Sequence, residues 1–185
     1  VSVRINPDID AHTHKYVTTG LYENKFGISQ HEFDKLIEII GKSSHINFIG
    51  LHFHVGSQIS RVEEVFGLEC RRVNEIVAYF ESKGLKIDNI NLGGGLGVDY
   101  DEADGNPIAD FGTWFEAISS NIVRRPDQAV HVEPGRSLVA QCATLISRVV
   151  FVKSGETKNF LIMDAGMNDL IRPALYGAYH KIENL

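Results

Sequence analysis

"INFIGLHFHVGSQIS", Ile46 to Ser60, runs from an apolar stretch into His-Val-Gly-Ser and then into a residue able to open a helix. Ile46 to Phe53 is rich in Ile, Phe and Leu and short enough for a buried strand. Ser60 is followed three residues later by Glu63, the spacing of a capping box, and Val62, Val65, Phe66, Val73, Ile76, Val77 and Phe80 recur at helical spacing before Gly84. One strand, one polar loop and one amphipathic helix make a βα unit.

The unit repeats. "VSVRI" (Val1 to Ile5), "IDNINL" (Ile87 to Leu92) and "AVHVE" (Ala129 to Glu133) are further strand patterns, and successive starts are roughly 40 residues apart, the size of a strand plus a helix. Ser29 with Glu32, then Phe33, Leu36, Ile37 and Ile40 before Gly41, predict a helix after the first strand. Another is predicted from Asp110, with Phe111, Trp114, Phe115, Ile118 and Ile122 on one face, ending before Pro126. Repeated βα units imply an α/β fold with a parallel sheet. Past the fourth strand the pattern changes: "CATLISRVVFVKSG" and "FLIMDAG" are strand-like, with a short turn near Ser154 to Lys158. A domain boundary is expected near Val139, giving residues 1–139 and 140–185.

Composition narrows the partners. The chain has 185 residues, 43% hydrophobic and 23% charged, ordinary for a globular protein. A net charge of −6 and the absence of a Lys/Arg run argue against a nucleic-acid surface. No apolar run approaches the ~20 residues of a membrane span. Cys70 and Cys142 stand far apart and outside any C-x-x-C pattern, which suggests neither a disulfide framework nor a zinc site and fits a reducing, cytoplasmic location.

The chemistry-bearing residues fall just past each strand: Asn6-Pro7-Asp8, His54-Val55-Gly56-Ser57, Gly93-Gly94-Gly95 and Glu133-Pro134-Gly135-Arg136. In (β/α)8 barrels the active site is built from those loops. "GGGLG" is not a dinucleotide fingerprint, because Val98 stands where the last glycine would be needed. Three glycines do offer unshielded N–H groups, a usual phosphate cradle. "GKS" at Gly41 to Ser43 imitates the end of a P-loop, but Leu36 occupies its first glycine position and the segment follows a helix. His52 and His54 are read as facing opposite ways, so no metal site is expected from them, and His54, followed by Val-Gly-Ser, is the better functional candidate. Glu133 beside a glycine cradle and Arg136 suggests a ligand with a phosphate at one end and a cationic nitrogen at the other. Pyridoxal 5′-phosphate has both, and a carboxylate keeps its ring nitrogen protonated.

"HVGSQI", "NLGGGLG", "EPGRSLVA" and "DAGMNDLIRPALYGAYH", in this order, resemble the meso-diaminopimelate decarboxylase family of fold type III, alanine-racemase-like enzymes. The resemblance implies a partial PLP-binding (β/α)8 TIM-type barrel leading into a C-terminal β-domain. It also implies a homodimer with active sites at the interface, and decarboxylation of meso-diaminopimelate to L-lysine. Carried over, His54 stacks on the cofactor ring, Ser57 lies beside it, and Gly94 and Gly95 hold the phosphate. Glu133 binds the ring nitrogen, and Pro134, Gly135 and Arg136 complete the cofactor site. Arg136, Arg172 and Tyr176 match substrate-binding positions, and Lys25 resembles a motif near the interface.

The family's Schiff-base lysine and catalytic cysteine find no counterpart. Lys15, Lys25, Lys42, Lys83 and Lys153 occupy no strand end facing the inferred site, Cys70 falls within the second helix pattern, and Cys142 on the first strand of the β-domain. The chain is therefore expected to be an internal segment, inactive by itself. The alternatives are a fold type III decarboxylase acting on ornithine, arginine or carboxynorspermidine, and a non-catalytic PLP-binding homologue. A distal ammonium would call for an acidic partner, so Arg172 favours a substrate with a distal carboxylate.

Overall fold

The computed structural model describes residues 1–9 and 25–185; Lys15 lies outside them. The chain divides into two compact units, Val1–Val98 with Ile108–Leu138, and Asp99–Pro107 with Val139–Leu185.

In the first unit β1 (Ser2–Arg4), β2 (Gly50–His52), β3 (Asn89–Asn91) and β4 (Ala129–His131) form one sheet in sequence order, every neighbour parallel. Helices α1 (Phe33–Lys42), α2 (Val62–Ser82) and α3 (Phe111–Asn121) supply the crossovers. Parallel crossovers are right-handed almost without exception, so strands laid down in sequence order keep their helices on one face of the sheet.

The register fixes the two faces. Arg4, His52, Asn91 and His131 are paired across the four strands, and Val3, Leu51, Ile90 and Val130 form the next row. Because the side-chain period is two, the apolar row, continued by Ile5, Phe53, Leu92 and Val132, packs in the core, while the polar row and its continuation face the other way. His52 and His54 are two residues apart and so share a face. This corrects the expectation that they diverge, and His52 and Arg4 both act electrostatically on His54.

The core is built by α2 and α3 on the sheet. Phe66, Cys70, Val73, Ile76 and Phe80 of α2 are buried, as are Trp114 and Ile118 of α3, with the Phe66 and Trp114 rings 5.5 Å apart. Each such side chain contributes about 1.5–3 kcal/mol by leaving water. Asn74 and Asn121 lock the two helices together: Asn74 Nδ2 donates to the Asn121 carbonyl at 2.8 Å, and Val123 N donates to Asn74 Oδ1 at 2.9 Å. That exit into extended chain ends α3 at Asn121, several residues before Pro126.

Two helix starts differ from expectation. Glu32 N donates to the Ser29 carbonyl within a 3-10 turn, Gln30–Glu32, and α1 begins at Phe33; the Ser29 side chain caps nothing. Similarly α2 begins after Arg61, whose carbonyl accepts from Val65 N, so Ser60 makes no capping box. Asp110 does cap α3, accepting from Thr113 N at 2.9 Å.

Glu69 of α2 is fully buried, and neither carboxylate oxygen has a hydrogen-bond partner among the described residues. Burial alone pushes its pKa well above the ordinary carboxylate range. The folded chain thus holds it neutral, while the unfolded chain ionises it from about pH 4.3. Its contribution to stability is therefore complete below that pH and falls as pH rises toward the folded pKa, by up to about 1.4 kcal/mol per pH unit. Glu69→Gln in the full-length protein is expected to flatten this decline, measured as denaturation midpoint against pH; parallel curves for the two proteins would contradict it.

In the second unit β5 (Val149–Ser154) and β6 (Asn159–Met163) form an antiparallel hairpin, closed by Gly155 N donating to the Lys158 carbonyl at 3.0 Å. Both strands are exposed along their length, Phe151 and Leu161 each at 62%. Asp164 ties the base of the hairpin, accepting from Arg148 N and Ser147 Oγ. Cys142 lies in a turn, its N–H donating to the Val139 carbonyl, and not on the strand expected to contain it, because β5 begins only at Val149. The short helix α4 (Arg136–Val139) follows β4, and α5 (Arg172–Tyr176) ends at Gly177, whose φ of +60° suits a residue without a Cβ.

Candidate active site

Glu133 stands two residues past the end of β4, on the face that carries Asn91 and His131. Its carboxylate is held by a side chain of β3 and approached by one of β2. Asn91 Nδ2 donates to Oε1 at 2.8 Å, and His52 Nε2 approaches Oε2 at 3.7 Å. The second distance is too long for a hydrogen bond, and burial pushes the His52 pKa down against the pull of Glu133, so the contact is one of neutral ring to carboxylate. The Glu133 side chain is 55% exposed and so open to a ligand. From β1, Arg4 faces the same carboxylate electrostatically, although burial lowers its pKa more than Glu133 raises it. Arg4 also lies 4.9 Å over the Phe26 ring.

The glycine loop is shaped by close approach. A Cβ on Gly93 would sit 2.4 Å from the Phe53 carbonyl oxygen, one on Gly94 1.7 Å from that of Glu133, and one on Gly95 2.3 Å from that of Gly56. The three glycines thus let the loop after β3 wedge between those after β2 and β4. Their N–H groups are not all available to a ligand, as the sequence alone suggested. Gly93 N donates to Asn91 Oδ1 and Gly94 N to His54 Nδ1, leaving Gly95 N–H without an acceptor among the described residues.

His54 is partly buried beside this loop, and desolvation first, then Arg4 and His52, lower its pKa. Because Nδ1 accepts from Gly94, the neutral ring carries its proton on Nε2. Ser57 follows Gly56 on the same loop. Its neighbour Gln58 accepts from Arg136 Nη1 at 3.2 Å and from Val98 N at 3.2 Å. Arg136 therefore turns toward the β2 loop, and no ion pair joins it to Glu133 among the described residues. Pro134 accepts from Ser137 Oγ at 2.8 Å, and Gly135 takes a φ of +53° that most residues avoid.

Arg172 and Tyr176 belong to the second unit. Arg172 Nη1 lies 3.1 Å from His180 Nε2, its guanidinium 5.1 Å over the Tyr100 ring, and Tyr176 is exposed. Lys25 lies over the Phe26 ring. Cys70 is buried and its thiol pushed up to about 12, first by burial and then by Glu69. Among the described residues no group of three or more His, Cys, Asp or Glu side chains is placed to hold a metal, and no helix is long and apolar enough to cross a membrane.

Arg4 and Asn91, which the sequence does not single out, join the site, as does His52, which the sequence ranks behind His54. Strand alternation puts each on a face, and the register, back by two along β4 and across, leads from Glu133 to all three.

Residues 1–140 match the model of the pyridoxal-dependent decarboxylase family, pyridoxal binding domain. The chain belongs to this family. It is 49% identical over its whole length to a diaminopimelate decarboxylase of Bacteroides thetaiotaomicron, of which it covers 48%. A crystal structure of a Helicobacter pylori diaminopimelate decarboxylase mutant complexed with L-lysine matches 97% of this chain and 44% of its own, with 37% identity and a TM-score of 0.86. The diaminopimelate decarboxylase from M. jannaschi gives 35% identity and a TM-score of 0.84 over 98% of this chain and 42% of its own. The chain thus spans about half the length of the relatives it matches.

The cofactor of the pyridoxal-dependent decarboxylases fits the residues present. A half-exposed carboxylate, a neutral imidazole and a loop N–H at Gly95 without an acceptor among the described residues lie on one rim of the sheet, and they would suit respectively a protonated ring nitrogen, an aromatic face and a phosphate.

Proposed function

We propose that this chain is the PLP-binding part of a diaminopimelate decarboxylase, which releases CO₂ from meso-diaminopimelate to give L-lysine. On this reading residues 1–139 are the later units of a (β/α)8 barrel, and residues 140–185 open a C-terminal β-domain. The whole enzyme is a cytoplasmic homodimer with active sites at the subunit interface. The observation that carries the reading is the Glu133 carboxylate, held open beside the glycine loop on the polar face of a parallel sheet.

Bound pyridoxal phosphate would supply an electron-withdrawing ring that accepts the electron pair left when CO₂ departs. Glu133 holds a proton on the ring nitrogen by charge. His54, neutral and fixed by Gly94, would lie against the ring. Gly95, Gly135 and Arg136 receive the phosphate, with Ser57 and Pro134 shaping the walls. Arg136, Arg172 and Tyr176 bind the substrate, the guanidinium of Arg172 suiting a distal carboxylate.

The full-length protein with PLP is expected to release CO₂ from meso-diaminopimelate in preference to ornithine, arginine or carboxynorspermidine. Arg172→Ala should raise KM for diaminopimelate about 10- to 100-fold, the worth of a charge-assisted hydrogen bond. Steady-state kinetics on both proteins decides the matter; an unchanged KM sinks the substrate assignment, and no turnover of any of the four amino acids leaves the non-catalytic homologue.

A further inference from the structure

Asn91 makes two hydrogen bonds in different directions, each at 2.8 Å. Its Oδ1 accepts from Gly93 N, and its Nδ2 donates to Glu133 Oε1. The partners leave no choice of amide orientation, since a backbone N–H can only donate and a carboxylate can only accept. A third contact closes the triangle, Glu133 N donating to the Gly93 carbonyl at 2.5 Å. The carboxylate past β4 and the glycine loop past β3 are thus fixed to one another through a single side chain on β3.

We propose that Asn91 is a positioning residue that sets Glu133 and the glycine loop at one fixed separation, so that the ring nitrogen and the phosphate of one cofactor molecule are met together. This rests on the reading of Glu133 and the glycine loop as the cofactor site. Alanine at this position frees the carboxylate of the half-exposed Glu133 side chain to rotate into solvent, and leaves Gly93 N without its acceptor. The Asn91→Asp substitution would keep the acceptor for Gly93 but place a second carboxyl group against Glu133.

The test uses the full-length protein and two readouts, cofactor dissociation constant by absorbance titration and the pH profile of kcat/KM. Asn91→Ala is expected to weaken cofactor binding and lower kcat, each about ten-fold or more. Asn91→Asp is expected to bind PLP nearly as the parent does while its acid limb moves to higher pH. In a Glu133→Ala background, removing Asn91 should cost no further turnover, because the carboxylate it positions is gone, while the loss in PLP affinity through Gly93 persists. Full additivity in turnover, or an Asn91→Ala protein with unchanged affinity and unchanged pH profile, overturns the proposal. An inert Glu133→Ala substitution would instead overturn the reading of the site, which keeps the two failures distinct.

Discussion

Glu133→Gln in the full-length protein is expected to lower kcat by about 100-fold or more, on the scale of removing one preorganised electrostatic group from a reacting centre, with a change in PLP affinity smaller than about ten-fold. The substitution is nearly isosteric, so the Asn91 Nδ2 donor at 2.8 Å still finds an oxygen and the loop after β4 keeps its backbone bond to Gly93. What disappears is the charge. A neutral amide cannot favour a protonated ring nitrogen, and an unprotonated ring withdraws electrons weakly as CO₂ leaves. On the proposed reading affinity changes less, because the phosphate would be met elsewhere, on the glycine loop and at Arg136. Parallel measurement of kcat and of cofactor dissociation constant distinguishes the two. A loss in affinity as large as the loss in turnover would mean that Glu133 is a binding residue with no special part in the chemistry.

That His54, the glycine loop and Glu133 gather past the strand ends was legible in sequence, because strand-then-polar-loop recurs four times and chemistry-bearing residues fall at the same point in each repeat. The four strands, their parallel arrangement and the three crossover helices followed from periodicity. Helix starts were less legible. Ser29 and Ser60 have capping-box spacing, yet backbone carbonyls at Ser29 and Arg61 take the first donors, and nothing in the one-letter pattern distinguishes those outcomes. The roles of Arg4 and Asn91 required register. Strand alternation places each on a face, but only the pairing Arg4↔His52↔Asn91↔His131 brings them beside Glu133. In sequence the triple glycine offers N–H groups, whereas the space its missing side chains leave to neighbouring backbones is a property of three loops together, invisible in any one of them.

That crowding makes Gly94→Ala the other substitution with a large expected effect. Gly94 does not need a left-handed conformation, so alanine there meets no intrinsic backbone penalty; the obstacle is the Glu133 carbonyl oxygen, 1.7 Å from where the methyl would stand. Both sides of this contact are backbone, and both belong to loops fixed by hydrogen bonds, Gly94 N to His54 Nδ1 and Glu133 N to the Gly93 carbonyl. Relief therefore requires the loops after β3 and β4 to separate by roughly an ångström or more, given ordinary van der Waals spacing, which would break the Glu133–Gly93 bond and shift the carboxylate and the cradle at once. The expected cost is about 3 kcal/mol or more, at the upper end for overpacking, together with loss of detectable PLP binding. Gly41 supplies the control. It lies in α1 with nothing within 4 Å of an added Cβ, so Gly41→Ala should leave PLP binding intact and stabilise the protein by up to about 1 kcal/mol through helix propensity. Denaturation midpoints and cofactor absorbance on the two full-length variants make the comparison, and a Gly94→Ala protein as stable and as coloured as the parent would show that the loops after β3 and β4 are not packed backbone to backbone.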